Sequence, residues 1–167
     1  CPAAYQVDMV KTGQSLGIWI INCGTTEDTN ITEIAIADKV GTIAHKASFQ
    51  NLQWYKSGVA VGPIMVAATA SGAAGSEKGW RYTATFGTPI VVPMNGGIAL
   101  ELRGDVSSFA SGGATSNSVH TFTFQADKTY LTARGAGSSL DAAVTDSADI
   151  HLGTSTTTTT FVIVVEP

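Results

Sequence analysis

Between Trp80 and Phe86 the chain alternates without a break. Trp80, Tyr82, Ala84 and Phe86 stand against Arg81, Thr83 and Thr85. A period of two places one set on each face of an extended strand. The same alternation recurs at Tyr5, Val7 and Met9, at Ile34 and Ile36, at Ile98, Leu100 and Leu102, and at Phe122 and Phe124. Windows with apolar residues at helical spacing and a cap are scarce. Turn residues punctuate the runs: Ser57-Gly58, Pro63, Pro89, Pro93 and Asn95-Gly96-Gly97. Leu16 to Ile21 is an unbroken apolar run, which predicts a strand buried on both faces. Thr154 to Val165 predicts a long closing strand. Asp38 to Gln50 is the least strand-like stretch and predicts a helical turn or an irregular crossover.

Many short strands at close spacing make an all-β chain. The economical arrangement is an immunoglobulin-like antiparallel β-sandwich of about 8–10 short strands, with a jelly roll as second choice. No hinge-like linker interrupts the 167 residues, so residues 1–167 read as a single domain.

Composition narrows the function. Charged residues make up 13% of the chain, about half the usual ~25%. The nine Lys and Arg are scattered rather than arranged in a stripe, which excludes a nucleic-acid binder. Disorder requires low hydrophobicity and high net charge, and this chain has 44% hydrophobic residues and a net charge of −4. No run approaches the ~20 apolar residues of a membrane span. A charge-poor shell suits a surface covered by neighbouring copies of the same chain.

Two cysteines are present, Cys1 and Cys23. The start at Cys1 reads as a mature or trimmed terminus. Cys1 has three readings: a disulfide with Cys23 within the chain or to a neighbour, a lipidated residue, or a free thiol. The disulfide is the favoured one. Within one chain it would close a loop of roughly 20 residues and stabilise by about 3 kcal/mol. Such a bond implies an oxidising, extracytoplasmic setting.

Residues with chemical potential have ordinary readings. Arg103-Gly104-Asp105 spells the integrin-binding tripeptide, but it follows a strand directly and reads as a strand end. Asp141, Asp146 and Asp149 share a loop without EF-hand spacing. His45, His120 and His151 have no zinc-ligand spacing, although His120 and His151 could meet across a sheet. There is no Gly-x-Ser-x-Gly elbow and no phosphate loop, so neither an enzyme nor a cofactor is expected. Trp19 and Trp54 read as core. Trp80 and Tyr82 share a face and are candidates for a glycan platform. Asn30-Ile31-Thr32 is a formal glycosylation sequon, placed at a turn.

The termini carry the main candidates. Thr156 to Thr160 followed by Phe161, Val162, Ile163, Val164 and Val165 is uncharged and strongly β-prone. Tyr5, Val7 and Met9 form its N-terminal counterpart. Either segment, within residues 154–167 or 1–10, could complete a neighbour's sheet by strand donation.

The order of several short motifs adds to this. Thr12-Gly13-Gln14-Ser15 leads into Leu16 to Ile21, then come Asn30 to Ile34, Asn51-Leu52-Gln53-Trp54-Tyr55 and Ser57 to Gly62. Pro89 to Pro93 with Gly96-Gly97, Ile98 to Leu102, Asp105 to Ser108 and Leu131 to Ala136 follow. This order resembles the immunoglobulin-like β-sandwich domains of bacterial cell-surface fibre, pilin-like and surface-layer proteins of the candidate-phyla type, over roughly residues 5–165. The stretch Asp38 to Gln50 is longer than the family's loop. The resemblance implies a non-catalytic, self-assembling homopolymer subunit of an extracellular filament, pilus or surface layer. The alternatives are an adhesin or carbohydrate-binding module contacting glycans or a host surface, and a viral capsid or tail protein.

Overall fold

A computed structural model describes residues 5–8, 12–39, 48–69, 79–107, 119–125, 131–142 and 156–164. These residues are all-β, and no helix occurs among them. The strands are β1 (Tyr5–Asp8), β2 (Gln14–Asn22), β3 (Thr29–Lys39), β4 (Phe49–Lys56), β5 (Val59–Val61) and β6 (Ala67–Thr69). They continue as β7 (Gly79–Val92), β8 (Gly97–Val106), β9 (Val119–Gln125), β10 (Leu131–Gly135) and β11 (Thr156–Val164).

The described strands form two sheets. One runs β2-β8-β4-β5, with every neighbour antiparallel. The other runs β1-β11-β9-β3-β7-β6, with β10 also paired to β3. Its one parallel pair among the described strands joins β1 to β11. The sheets face each other as a β-sandwich, and their inward residues form one core. Leu16, Trp19, Leu52, Trp54, Leu100 and Leu102 come from the smaller sheet. Ile31, Ile34, Ile36, Tyr82, Ala84 and Phe122 come from the larger one. Across the gap, the Phe49 ring meets Phe122 edge-on at 5.2 Å. Within the smaller sheet, Trp19 and Trp54 pack edge-on at 5.6 Å. Such aromatic pairs contribute about 0.5–1.5 kcal/mol beyond the area they bury.

Local chemistry explains the boundaries. Ser57 and Gly58 both have positive φ, at 50° and 79°. That pair of values makes the primed hairpin turn whose twist matches β4 and β5. Pro89 does not end a strand as expected. The ladder is irregular there, with Ile31 opposite Ile90 but Glu33 opposite Thr85. Pro89 therefore sits in a bulge, where its missing N–H leaves no ladder bond unmade.

Three other expectations are corrected. Leu16 to Ile21 is buried on one face only, because each sheet of a two-layer sandwich packs against the other on one face. Leu16, Trp19 and Ile21 point inward, whereas Ile18 and Ile20 are 59% and 54% exposed. The ends of Asp38 to Gln50 are strand: Asp38 closes into β3 and Phe49 opens β4. Residues 40–47 lie outside the described residues. Asn30 of the sequon is not at a turn. It lies inside β3, paired to Val91 on one side and Arg134 on the other.

Candidate functional site: sheet margins and termini

The smaller sheet has a polar centre on its outer face and exposed aliphatic residues at its two margins. Along β8, Ile98, Leu100, Leu102, Gly104 and Val106 are buried, so Ala99, Glu101, Arg103 and Asp105 point outward. Arg103 meets Glu101 at 2.7 Å and lies 4.6 Å over the Tyr55 ring. Its hydrogen bond holds the Glu101 carboxyl below the usual range and raises the Arg103 guanidinium above its own. Asp105 accepts hydrogen bonds from the Gly13 N–H and the Asn51 amide, each at 2.7 Å. The Arg-Gly-Asp tripeptide is thus a stretch of a central strand with its charges engaged and its glycine buried. It is not a protruding loop tip.

The two margins differ from that centre. At one, β2 presents Ile18 and Ile20. Their partners on β8 are Glu101 and Ala99. At the other, Val59 on β5 and Ile64 and Val66 just beyond it are exposed, Val66 at 81%. Beside them a groove of about 410 Å³ runs between β5 and β7, lined by Lys56, Ala60, Val61, Thr88, Pro89 and Val91 among others. No charged residue occurs between Gln14 and Asn22, or between Val59 and Val66. Natural sheets guard such margins with lysine, proline or a bulge; here Pro63 and the bulge at Ser15 and Gly17 leave Ile18 to Asn22 and Val59 to Val61 as the regular, uncharged parts. A sequence reading missed this distribution, because an unbroken apolar run does not say which of its residues face out.

The terminal candidates meet each other. Tyr5 lies opposite Phe161, Val7 opposite Ile163, and the pairing continues to Asp8 and Val164. On its other side β11 pairs with β9 from Thr156 through Val162. The register of β1 leaves Thr156 to Thr160 without a strand on that side among the described residues. Met9 and Val165 lie outside the described residues.

Cys23 carries a free thiol, 3.0 Å from the Thr29 hydroxyl and 3.2 Å from the Glu27 carbonyl oxygen. Cys1, its expected disulfide partner, lies outside the described residues. A cleft of about 280 Å³ opens beside Cys23, between the turn at 24–28 and the turn at 136–142. Glu27 ties those turns together. Its carboxylate accepts from the N–H groups of Gly137 and Ser138, at 2.7 and 3.0 Å, and from the Ser138 hydroxyl. These bonds, the Ser138 hydroxyl first, hold its pKa below the ordinary 4.5. Nearby, Asp141 pairs with Arg134 at 3.2 Å. Asp146 and Asp149 are outside the described residues.

The aromatic platform is also corrected. Trp80 and Tyr82 are buried in the core with Trp19 and Trp54. His120 meets a carboxylate: its Nδ1 lies 2.7 Å from Asp38 Oδ2, with both side chains fully buried. The Phe49 ring stands edge-on to the imidazole at 4.8 Å. Burial, and then the Asp38 charge, push the Tyr82 phenol well above its ordinary range. Sequence gave no signal for this pair, since its partners are 82 positions apart. His45 and His151 lie outside the described residues. Among the described residues, no group of three or more metal-ligating side chains converges, and no helix is long and apolar enough to cross a membrane.

No family model, no curated protein and no solved structure matches the chain.

Proposed function

We propose that this protein is a structural, non-catalytic subunit of an extracellular assembly of identical copies: a filament, pilus or surface layer. Copies join through strand contacts rather than through a ligand-binding site. One observation carries the reading. The exposed aliphatic residues of the smaller sheet gather at its two margins, while its centre is polar and internally paired. Apolar margins left in water are an aggregation liability, and covering them with another copy of the chain removes it. The half-open margin of β11 at Thr156 to Thr160, beside Tyr5 to Asp8, supports the same reading through the terminal segments. An oxidising, cell-surface location, with Cys1 and Cys23 available for a disulfide, completes the proposal.

The test is electron microscopy of native or purified material. Filaments, rods or two-dimensional arrays support the reading. Discrete monomers at high concentration, with both terminal strands folded in place, contradict it. The binding-module alternative loses its aromatic support with Trp80 and Tyr82 buried, and a glycan array tests what is left of it.

A further inference from the structure

We infer that copies join head to tail through the smaller sheet, with the β2 margin of one copy pairing with the β5 margin of the next, beside the β5–β7 groove. The inference rests on the assembly reading and specifies which surfaces meet.

Strand direction supplies the first argument. The order β2-β8-β4-β5 is antiparallel at every step. Four alternating strands place β2 and β5 in opposite directions. A second copy displaced along the sheet without reversal therefore brings its β5 antiparallel to the first copy's β2. The alternation continues across the joint, and the stronger, antiparallel kind of ladder forms there. Sheet twist turns such a row into a helix rather than a flat ribbon. A contact between two different surfaces that does not close generates an open filament.

The chemistry of the margins supplies the second argument. After the bulge at Ser15 and Gly17, the stretch Ile18 to Asn22 pairs regularly with β8 on its inner side. No strand among the described residues is hydrogen-bonded to its outer side. The β5 margin likewise ends its sheet. Neither stretch contains a charge. A charged side chain on the partner strand would be desolvated against these uncharged stretches. An uncharged, aliphatic strand is what each margin accepts, and every copy offers one to each neighbour. Ile18 and Ile20 would then continue the outward face that carries Glu101, Tyr55 and Ala60.

Because the two surfaces differ, complementation tests the inference. The variants are Ile20→Lys on β2 and Val59→Lys on β5, both at exposed positions. Each is checked for wild-type melting temperature and circular dichroism. Ile18→Lys and Val66→Lys replace either one that fails to fold. Light scattering coupled to size exclusion reads the mass. Each variant alone is monomeric, with association weakened at least tenfold. A one-to-one mixture forms heterodimers and nothing larger, because one intact joint remains and the other would oppose two lysines. If Val59→Lys alone still dimerises while Ile20→Lys does not, the joint is a two-fold β2–β2 contact and the inference falls. If both variants polymerise like wild type, the joint lies elsewhere, and the inference falls while the assembly reading stands. If wild type itself stays monomeric, the assembly reading falls and takes the inference with it.

Discussion

Asp38 Oδ2 and His120 Nδ1 lie 2.7 Å apart, with both side chains at zero exposure, where β3 and β9 pair. That ladder spans only Ala37 to Lys39 against Thr121 to Thr123. It is the link that carries β11 and β1 on the larger sheet. A buried carboxylate is tolerated only with a partner, so the pair fixes how the terminal strands are mounted.

Removing one partner takes the 2.7 Å contact from a polar group that stays buried in the core. His120→Ala lowers unfolding free energy by about 3–5 kcal/mol, measured by chemical denaturation. Replacing both residues with apolar side chains of similar size recovers most of that loss. A single variant within about 0.5 kcal/mol of wild type, the range of neutral surface changes, would remove the pair from the account.

Acid loosens the junction between the turns at 24–28 and 136–142. The Glu27 carboxyl has a folded pKa below its ordinary 4.5. A depressed folded value means the stabilisation is complete above the unfolded value and is lost as pH falls through the folded one. Amide exchange at Gly137 and Ser138 therefore accelerates below pH 4.5, beyond the intrinsic trend. In Glu27→Gln the same amides exchange faster already at neutral pH and gain little further in acid. Equal protection in the two proteins at neutral pH would show that the latch does not form.

Two glycines should respond differently to alanine. Gly62 has φ +71°, and a Cβ there would stand 2.5 Å from the buried Phe86 ring. Gly62→Ala costs about 1–3 kcal/mol through strain and overpacking. Gly87 on β7 has nothing within 4 Å of an added Cβ. Gly87→Ala changes stability by less than about 0.5 kcal/mol, as a surface substitution does. Thermal denaturation of the two variants side by side decides. A Gly62→Ala protein as stable as Gly87→Ala would contradict the packing at the groove.

Much of the fold was legible from the residues alone. Trp80 to Phe86 and Ile98 to Leu102 alternate because each strand has one buried and one outward face, and alternation records that directly. Ser57-Gly58 was legible because few residues accept two successive positive φ values. Leu16 to Ile21 misled, since Ile18 and Ile20 are apolar for a reason other than burial in their own core. Pro89 misled because a bulge absorbs it. Asp38 was unreadable: a carboxylate at the end of Ile34 to Ala37 marks a strand end unless a distant histidine returns to it. Trp80 and Tyr82 shared a face as expected, but alternation does not say which face is the wet one.

The central claim is that the chain assembles with itself. The direct measurement is the mass distribution of the purified wild-type protein over a hundredfold concentration range, by analytical ultracentrifugation, with the same samples imaged by electron microscopy. The account predicts species that grow with concentration, filamentous in the images, and that revert to monomer in Ile20→Lys. A single monomeric species across the whole range, with no filaments or arrays, would contradict it.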